Sequence, residues 1–313
     1  MSLKSYIYNG FCGLVALGST FSTQSIAAES TASFYVPGLY GDAAVAVPPA
    51  PGSYLLATSI FFPAKAPHSI FPGKIDQKVE TEAYAHFLRG FWVPDEKFFG
   101  LQILMGVRLS VLNLDISAEL NTPIGSLILE DSKTAMGDLG LIPMSLYWQR
   151  GNLYLNLYEA VNIPTAKYDK TRLANTSLNH WVFDTVLAAT WLDPGTGIEI
   201  SASPGVIYNT ENTTTNYKSG VEFHMDLAFN LHLSSSLAVG MHGSVYRQLT
   251  GDEGAGAIQG SFKGRSNAIG PAIVWNKKLD QKQYYLSAKW LHEFSARNRL
   301  EGNLYSLTGG IKF

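Results

Sequence analysis

The sequence predicts an all-β fold: a transmembrane antiparallel up-and-down β-barrel of the outer-membrane type, with about twelve strands. Three observations support this prediction. The 313 residues are 46% hydrophobic but only 15% charged, against roughly 25% charged in a typical soluble domain. Mean hydropathy is only +0.04, and beyond the N-terminus no apolar run reaches the ~20 residues of a spanning helix. Finally, apolar and polar residues alternate along many segments.

The alternation is clearest over residues 221–233, where every odd position is apolar and all even positions but Ala228 are polar. Residues 101–111, 198–208 and 284–290 show the same period of two, which places successive side chains on opposite faces of a strand. In a membrane barrel the polar face lines a wet lumen and the apolar face contacts lipid. The repetition of the pattern therefore favours a barrel over a single amphipathic sheet.

The pattern predicts twelve strands separated by connections of alternating length. The connections after even-numbered strands are short turns, and those after odd-numbered strands are longer loops, as in outer-membrane barrels. An even strand count places both ends of the barrel on the periplasmic side. The predicted strands are 53–62, 79–93, 98–113, 138–149, 153–163, 180–192, 196–208, 218–233, 236–250, 264–276, 282–295 and 302–313.

The ends of the strands carry aromatic signals. Trp92, Trp148, Trp191 and Trp275 each precede a short turn, which predicts a periplasmic aromatic girdle in contact with outer-membrane lipid. The last strand alternates and ends on Phe313. Such an ending resembles the signal that barrel-assembly machinery reads, so lipid and this machinery are the expected partners.

The chain divides into three predicted parts. Residues 1–27 read as a secretory signal peptide, with Lys4, an apolar stretch over 10–21 and small residues before the cleavage site; a bacterial outer-membrane location in a Gram-negative cell follows. Cleavage removes Cys12, the one cysteine. Residues 28–52 are rich in proline and glycine and form either a flexible periplasmic leader or a partial plug of the lumen. Residues 53–313 form the barrel.

If the second segment is a plug, Phe34, Tyr35 and Tyr40 pack inside the lumen, and deletion of residues 29–52 increases single-channel conductance. The alternation also selects residues that face the lumen and border the path of a solute. They are Tyr84, His86, Arg108, Asp184, Glu199, Glu222, His224, Asp226, His242, Tyr246, Lys289 and Glu293. With Glu80 and Glu82 added, acids outnumber bases. We expect either a polar constriction with weak cation preference or a network of ion pairs that fills a narrow barrel.

Other functional classes have weaker support. The net charge of −2 excludes a strongly basic nucleic-acid binder. His224 and Asp226 share a face, but without further ligands they predict no metal site. No Gly-x-Ser-x-Gly nucleophile elbow occurs. We therefore expect no catalytic residue, metal or cofactor, while a purely structural barrel and an outer-membrane enzyme remain the alternatives.

The chain resembles the meta-pathway phenol-degradation outer-membrane transporter family over about 35–313. The stretches that carry the resemblance are 35–38, 48–52, 137–139, 164–169, 173–175, 179–181, 212–220 with Glu222, His224 and Asp226, 248–252 and 268–271. Ala166 departs from the glycine that is more usual there, which leaves the form of that turn open. The resemblance implies a porin-like channel for uptake of small hydrophobic or aromatic molecules by passive diffusion.

Overall fold

The computed structural model describes residues 33–71, 75–122, 125–257 and 261–313. The predicted signal peptide lies outside these described residues. Within them, the regular structure consists of strands, and no helix is long and apolar enough to cross a membrane. The strands are β1 (Gly52–Phe71), β2 (Ile75–Val93), β3 (Gln102–Thr122), β4 (Gly125–Met136), β5 (Leu139–Arg150), β6 (Leu153–Ile163), β7 (Val182–Asp193), β8 (Ile198–Asn209), β9 (Glu222–His232), β10 (Leu237–Gln248), β11 (Arg265–Leu279), β12 (Lys282–Arg297) and β13 (Glu301–Lys312).

The strands form one closed antiparallel barrel. The first strand pairs with the last, from Tyr54 opposite Lys312 to Lys65 opposite Glu301. The Phe313 amide donates a further hydrogen bond to the Ser53 carbonyl over 2.9 Å. Closure leaves no unpaired edge in the hydrocarbon layer, where an unsatisfied backbone group costs several kcal/mol.

Two of the segments are halves of one broken strand. The first part of β3 pairs with β5, and its second part, from Val111 to Thr122, pairs with β4. The break falls at residues 137 and 138, where the Gly137 amide donates to the Ser110 carbonyl over 2.9 Å. The described barrel therefore has twelve strands around its circumference, and the predicted fold class is confirmed.

Two predicted loops are strands instead. Residues 63–71 and 75–78 extend the hairpin β1–β2, and residues 114–122 and 125–136 form an extended hairpin β3–β4. The third strand also begins at Gln102 rather than at residue 98. Most side chains of β4 are exposed on both faces, so no apolar period marks it in the sequence. Its ladder with β3 satisfies the backbone without an apolar face.

The side chains divide by face as a membrane barrel requires. Leu187, Ile200 and Phe229 point outward and are exposed, whereas the alternate positions of the same strands are buried. Trp92 and Trp191 are exposed on the outer surface at the ends of β2 and β7 that precede short turns. We call this end the periplasmic end, in keeping with the outer-membrane pattern.

Residues 33–51 contain no strand and lie inside the barrel, and we call them the plug segment. Ser33 donates to Glu222 at the extracellular end of β9 over 2.5 Å. The Ala46 amide donates to Thr190 near the periplasmic end of β7 over 3.2 Å. The segment thus runs the length of the lumen before β1 begins at Gly52.

Candidate functional site

Ten of the predicted lumen residues face inward. These ten are Arg108, Asp184, Glu199, Glu222, His224, Asp226, His242, Tyr246, Lys289 and Glu293; Arg108 lines an internal cavity and the other nine are buried. Their position follows from the alternation along their strands. Whether a solute passes them stays a prediction.

Tyr84 and His86 were wrongly predicted to face the lumen. Tyr84 is 39% exposed on the outer surface, where its ring stacks on that of Phe61 at 4.6 Å between centroids. His86 is also exposed, and its Nδ1 lies 2.9 Å from the Ser59 hydroxyl. This part of β2 rises toward the extracellular end of the barrel, where polar and aromatic side chains face outward, so polarity there does not mark the lumen.

Asp226 is the main attachment point of the plug segment. Its carboxylate accepts hydrogen bonds from the Tyr35 hydroxyl, from the Gly38 amide at 3.1 Å and from the Tyr40 amide at 2.8 Å. Gly38 has φ +77°, and a Cβ there would lie 2.7 Å from Leu291, so glycine allows both the turn and the close approach. The carboxylate is thereby fully engaged by the plug segment.

Two further acids hold the segment. Glu199 accepts from the Ala44 amide at 2.7 Å, and Glu222 accepts from Ser33. Both glutamates are almost completely buried, and burial of a carboxylate is tolerated when donors satisfy it. The acidic wall formed by β8 and β9 is therefore covered by the plug segment and does not border open space.

In the contact with β12, the acidic residue belongs to the plug segment and the basic residue belongs to the barrel wall. Asp42 forms an ion pair with Lys289 and accepts from the Tyr285 hydroxyl at 2.8 Å. Burial alone raises the pKa of Asp42, but the Lys289 ammonium and the hydrogen bonds from Lys289 and Tyr285 outweigh it, so the pKa lies below its usual 3.8. The contribution of this pair is therefore present at neutral pH and is lost as the pH falls through the lowered pKa.

Aromatic rings complete the contact. The Tyr35 ring stacks on the His224 ring with 4.4 Å between centroids. On the Tyr246 ring, the centroid lies 6.1 Å from that of Tyr35, and these two rings are nearly parallel. His224 Nε2 lies 2.9 Å from Asp184 Oδ1. Asp184 on β7, His224 on β9 and Tyr246 on β10 thus hold the plug segment against one side of the lumen. Open volume remains on the opposite side.

That volume is a cavity of about 380 Å³ between the plug segment and the wall that faces it. The plug segment contributes Phe34, Leu39, Tyr40 and Val45, and strands on the other side contribute mostly apolar and aromatic residues. Its basic residues are Arg89 and Arg108, on the neighbouring strands β2 and β3, and Lys312 at the end of β13. The predicted set of lumen residues includes Arg108 but not Arg89. Arg89 lies three positions before Trp92 on the same strand, so an outward Trp92 places Arg89 on the inward face.

The extracellular end is organised around Asp138. Its carboxylate accepts from Asn162 Nδ2 at 3.1 Å, from the Ala166 amide at 3.0 Å and from the Ser177 hydroxyl and Leu178 amide, both at 2.8 Å. The connection between β6 and β7 is thereby folded back onto the break between β4 and β5. The motif over residues 137–139 thus has a structural role in shaping the mouth.

A second depression of about 760 Å³ lies at the extracellular end of the barrel. Its acidic lining residues are Glu80, Glu82, Asp115, Glu130, Asp131 and Glu301. Glu80 and Glu82 share the outward face of β2 with Tyr84, so their predicted lumen position is also wrong. Among the described residues, no group of three or more histidines, cysteines or acids is arranged to hold a metal ion.

One solved structure has a fold that agrees with this architecture, and a second is comparable in coverage alone. The COG4313 outer membrane channel from Pseudomonas putida F1 matches with a TM-score of 0.63 and 13% identity, over 89% of this chain and 100% of that chain. A FadL homologue from Pseudomonas aeruginosa matches with a TM-score of 0.45 and 7% identity, over 93% and 96%. No curated protein matches the chain.

The closed barrel with an apolar exterior and a polar interior defines an outer-membrane β-barrel of the Gram-negative type. The sequence model of the family described as "Putative MetA-pathway of phenol degradation" matches residues 64–308. The chain belongs to this family, which confirms the resemblance found in the sequence.

Proposed function

We propose that the protein is an outer-membrane channel through which small hydrophobic or aromatic molecules enter by passive diffusion. The observation that carries this proposal is the cavity between the plug segment and the wall formed by β1–β3, β5, β6 and β11–β13. Its volume of about 380 Å³ lies within the roughly 300–1,000 Å³ of small-molecule pockets. Tyr40, Phe91 and Tyr158 offer it aromatic surfaces.

The test is solute flux into liposomes that contain the mature protein, with protein-free liposomes as the baseline. Small sugars are compared with phenol- and toluate-sized aromatics. We expect the protein to accelerate aromatic entry more than sugar entry. Equal acceleration of both classes, scaled by size alone, would indicate a general diffusion pore and contradict the proposal.

A pair of matched variants locates the path. Ala43 borders the cavity on the plug segment, so Ala43→Trp should fill it and reduce aromatic flux several-fold. Ala189 lies on the outer face of β7, between the exposed residues Leu187 and Trp191, so Ala189→Trp should leave flux unchanged. An equal loss in both variants would show that the cavity is not the path.

We also propose that the barrel has no catalytic role. A serine or threonine hydrolase needs a nucleophile hydrogen-bonded to a histidine. His224 bonds Asp184 through Nε2, and its Nδ1 has no hydrogen-bond partner among the described residues. The Tyr35 and Tyr40 rings also contact the His224 ring, at 4.4 and 4.8 Å between centroids. Hydrolysis of an ester or phospholipid substrate that stops in a His224→Ala variant would contradict this view.

A further inference from the structure

Arg89 and Arg108 form a pair of like charges inside the lumen. They occupy directly opposite positions in the β2–β3 ladder, and both line the cavity. Like charges placed opposite each other on one face of a sheet are destabilising. A half-buried pair of this kind is stabilised only when an anion or strong acceptors compensate it.

The described residues provide little compensation. No ion pair among them includes either arginine. Arg89 donates through Nη2 to the Thr58 hydroxyl at 2.8 Å, and Arg108 donates through Nη2 to Asn162 at 3.5 Å. The Nε of each is buried and has no hydrogen-bond partner among the described residues. Each guanidinium has five N–H donors, so most of these donors have no hydrogen-bond partner among the described residues.

The guanidinium of Arg108 is also held in position. Its Cζ lies 4.7 Å from the centre of the Phe34 ring and 5.5 Å from that of Phe87, contacts that engage the face of the cation. A Cβ on Gly140 would lie 2.8 Å from its Nε, so the glycine makes room for it. These contacts cover the faces and the Nε side of the guanidinium, and among the described residues only its Nη2 donates a hydrogen bond.

The rest of the cavity suits an aromatic ring attached to the anionic group that the arginines would bind. Tyr40, Tyr147 and Tyr158 supply aromatic surface, on which a planar ring can stack. The acid in the lining, Asp42, forms an ion pair with Lys289 and also attracts Arg89. One carboxylate is thus shared by two cations, and the arginine pair keeps net positive charge. We propose that the cavity is a binding site for small aromatic carboxylates of the benzoate class, with the carboxylate between Arg89 and Arg108. This proposal rests on the proposed function and narrows its substrate class.

The test is calorimetric titration of the detergent-solubilised mature protein in a chloride-free buffer. The probes are benzoate, benzamide as its neutral counterpart of the same shape, and acetate as an anion without a ring. We expect benzoate to bind at least about tenfold more tightly than either, because charge-assisted hydrogen bonds and ring contacts both contribute. Equal affinity for benzoate and benzamide would overturn the proposal, and equal affinity for benzoate and acetate would replace it with a general anion site.

Variants assign the affinity to the arginine pair. Arg89→Gln combined with Arg108→Gln should lower benzoate affinity at least about tenfold and leave benzamide binding unchanged. Arg150→Gln, which makes the same change at an exposed periplasmic position, should have no effect. Unaltered benzoate affinity in the double variant would overturn the proposal.

A milder variant keeps the test valid if the double variant does not fold. Gly140→Ala should displace Arg108 and weaken benzoate binding, whereas Gly309→Ala, whose added Cβ meets no atom within 4 Å, should not. Equal affinities in these two variants would count against the site. Binding in detergent is measured independently of flux into liposomes. Benzoate binding without aromatic flux would contradict only the proposed transport. Aromatic flux without benzoate binding would contradict only the proposed binding site.

Discussion

At the scale of single residues, Asp226 determines how firmly the plug segment is held. Its three donors come from Tyr35, Gly38 and Tyr40, and a hydrogen bond to a charged group contributes about 1.5–3 kcal/mol. In Asp226→Asn the side chain loses its negative charge, and an amide NH2 donor replaces one of the two acceptor oxygens. We expect the plug segment to separate from the wall at least about tenfold more often.

Thiol labelling measures this opening, because the one cysteine of the chain, Cys12, lies in the predicted signal peptide. A cysteine placed at Ala46, which is completely buried against β7, becomes accessible only when the plug segment separates from the wall. Its labelling rate should rise in the Asp226→Asn background and stay unchanged with Asp193→Asn, which alters only a carboxylate in a periplasmic turn. Equal rates in the two backgrounds would show that Asp226 does not hold the segment.

The period of two identified most lumen residues but failed on β2. Glu222, His224 and Asp226 alternate with apolar residues on a strand whose outer face is apolar along its length, so polarity marks the lumen there. On β2, Tyr84 and His86 lie where the outer face leaves the hydrocarbon, and polarity loses this meaning. Contacts such as the opposition of Arg89 and Arg108 depend on strand register, which the sequence alone does not provide.

At the scale of elements, the break between β4 and β5 lets one carboxylate shape the extracellular mouth. Asp138 holds the connection between β6 and β7 through Ala166, Ser177 and Leu178. In Asp138→Ala these donors lose their acceptor, so we expect faster amide hydrogen exchange across residues 164–181. Asp95→Ala, at an exposed position in a periplasmic turn, is the control. Unchanged exchange in Asp138→Ala would mean that other contacts fix the connection.

The elements that sequence patterns missed are the extended hairpins. β4 contains Leu127, Ile128 and Leu129 in succession, all exposed, so its apolar residues follow no period of two. It is stabilised by pairing with the adjacent strand β3, and intrinsic strand propensity alone does not encode such pairing. The strands from β6 onward were predicted within a few residues because each has one lipid-facing side.

At the scale of the whole molecule, the plug segment divides the lumen into a covered acidic wall and an open basic cavity. Deletion of residues 33–51 should therefore increase single-channel conductance several-fold. It should also shift selectivity toward cations, because Glu199, Glu222 and Asp226 would then face the pore. Planar-bilayer recordings with a salt gradient measure both. Conductance and reversal potential equal to those of the intact chain would contradict this division.

The path of the plug segment has a consequence for how the barrel forms. The segment contacts β8, β9 and β12, and it continues directly into β1, whose pairing with β13 closes the cylinder. Joining the two ends of a chain this long carries an entropic cost. Because β12 is the neighbour of β13, we expect docking of the segment onto β12 to bring β1 close to its partner and to reduce this cost. The part of the chain that narrows the finished pore is therefore expected to act also as an intramolecular template for its closure.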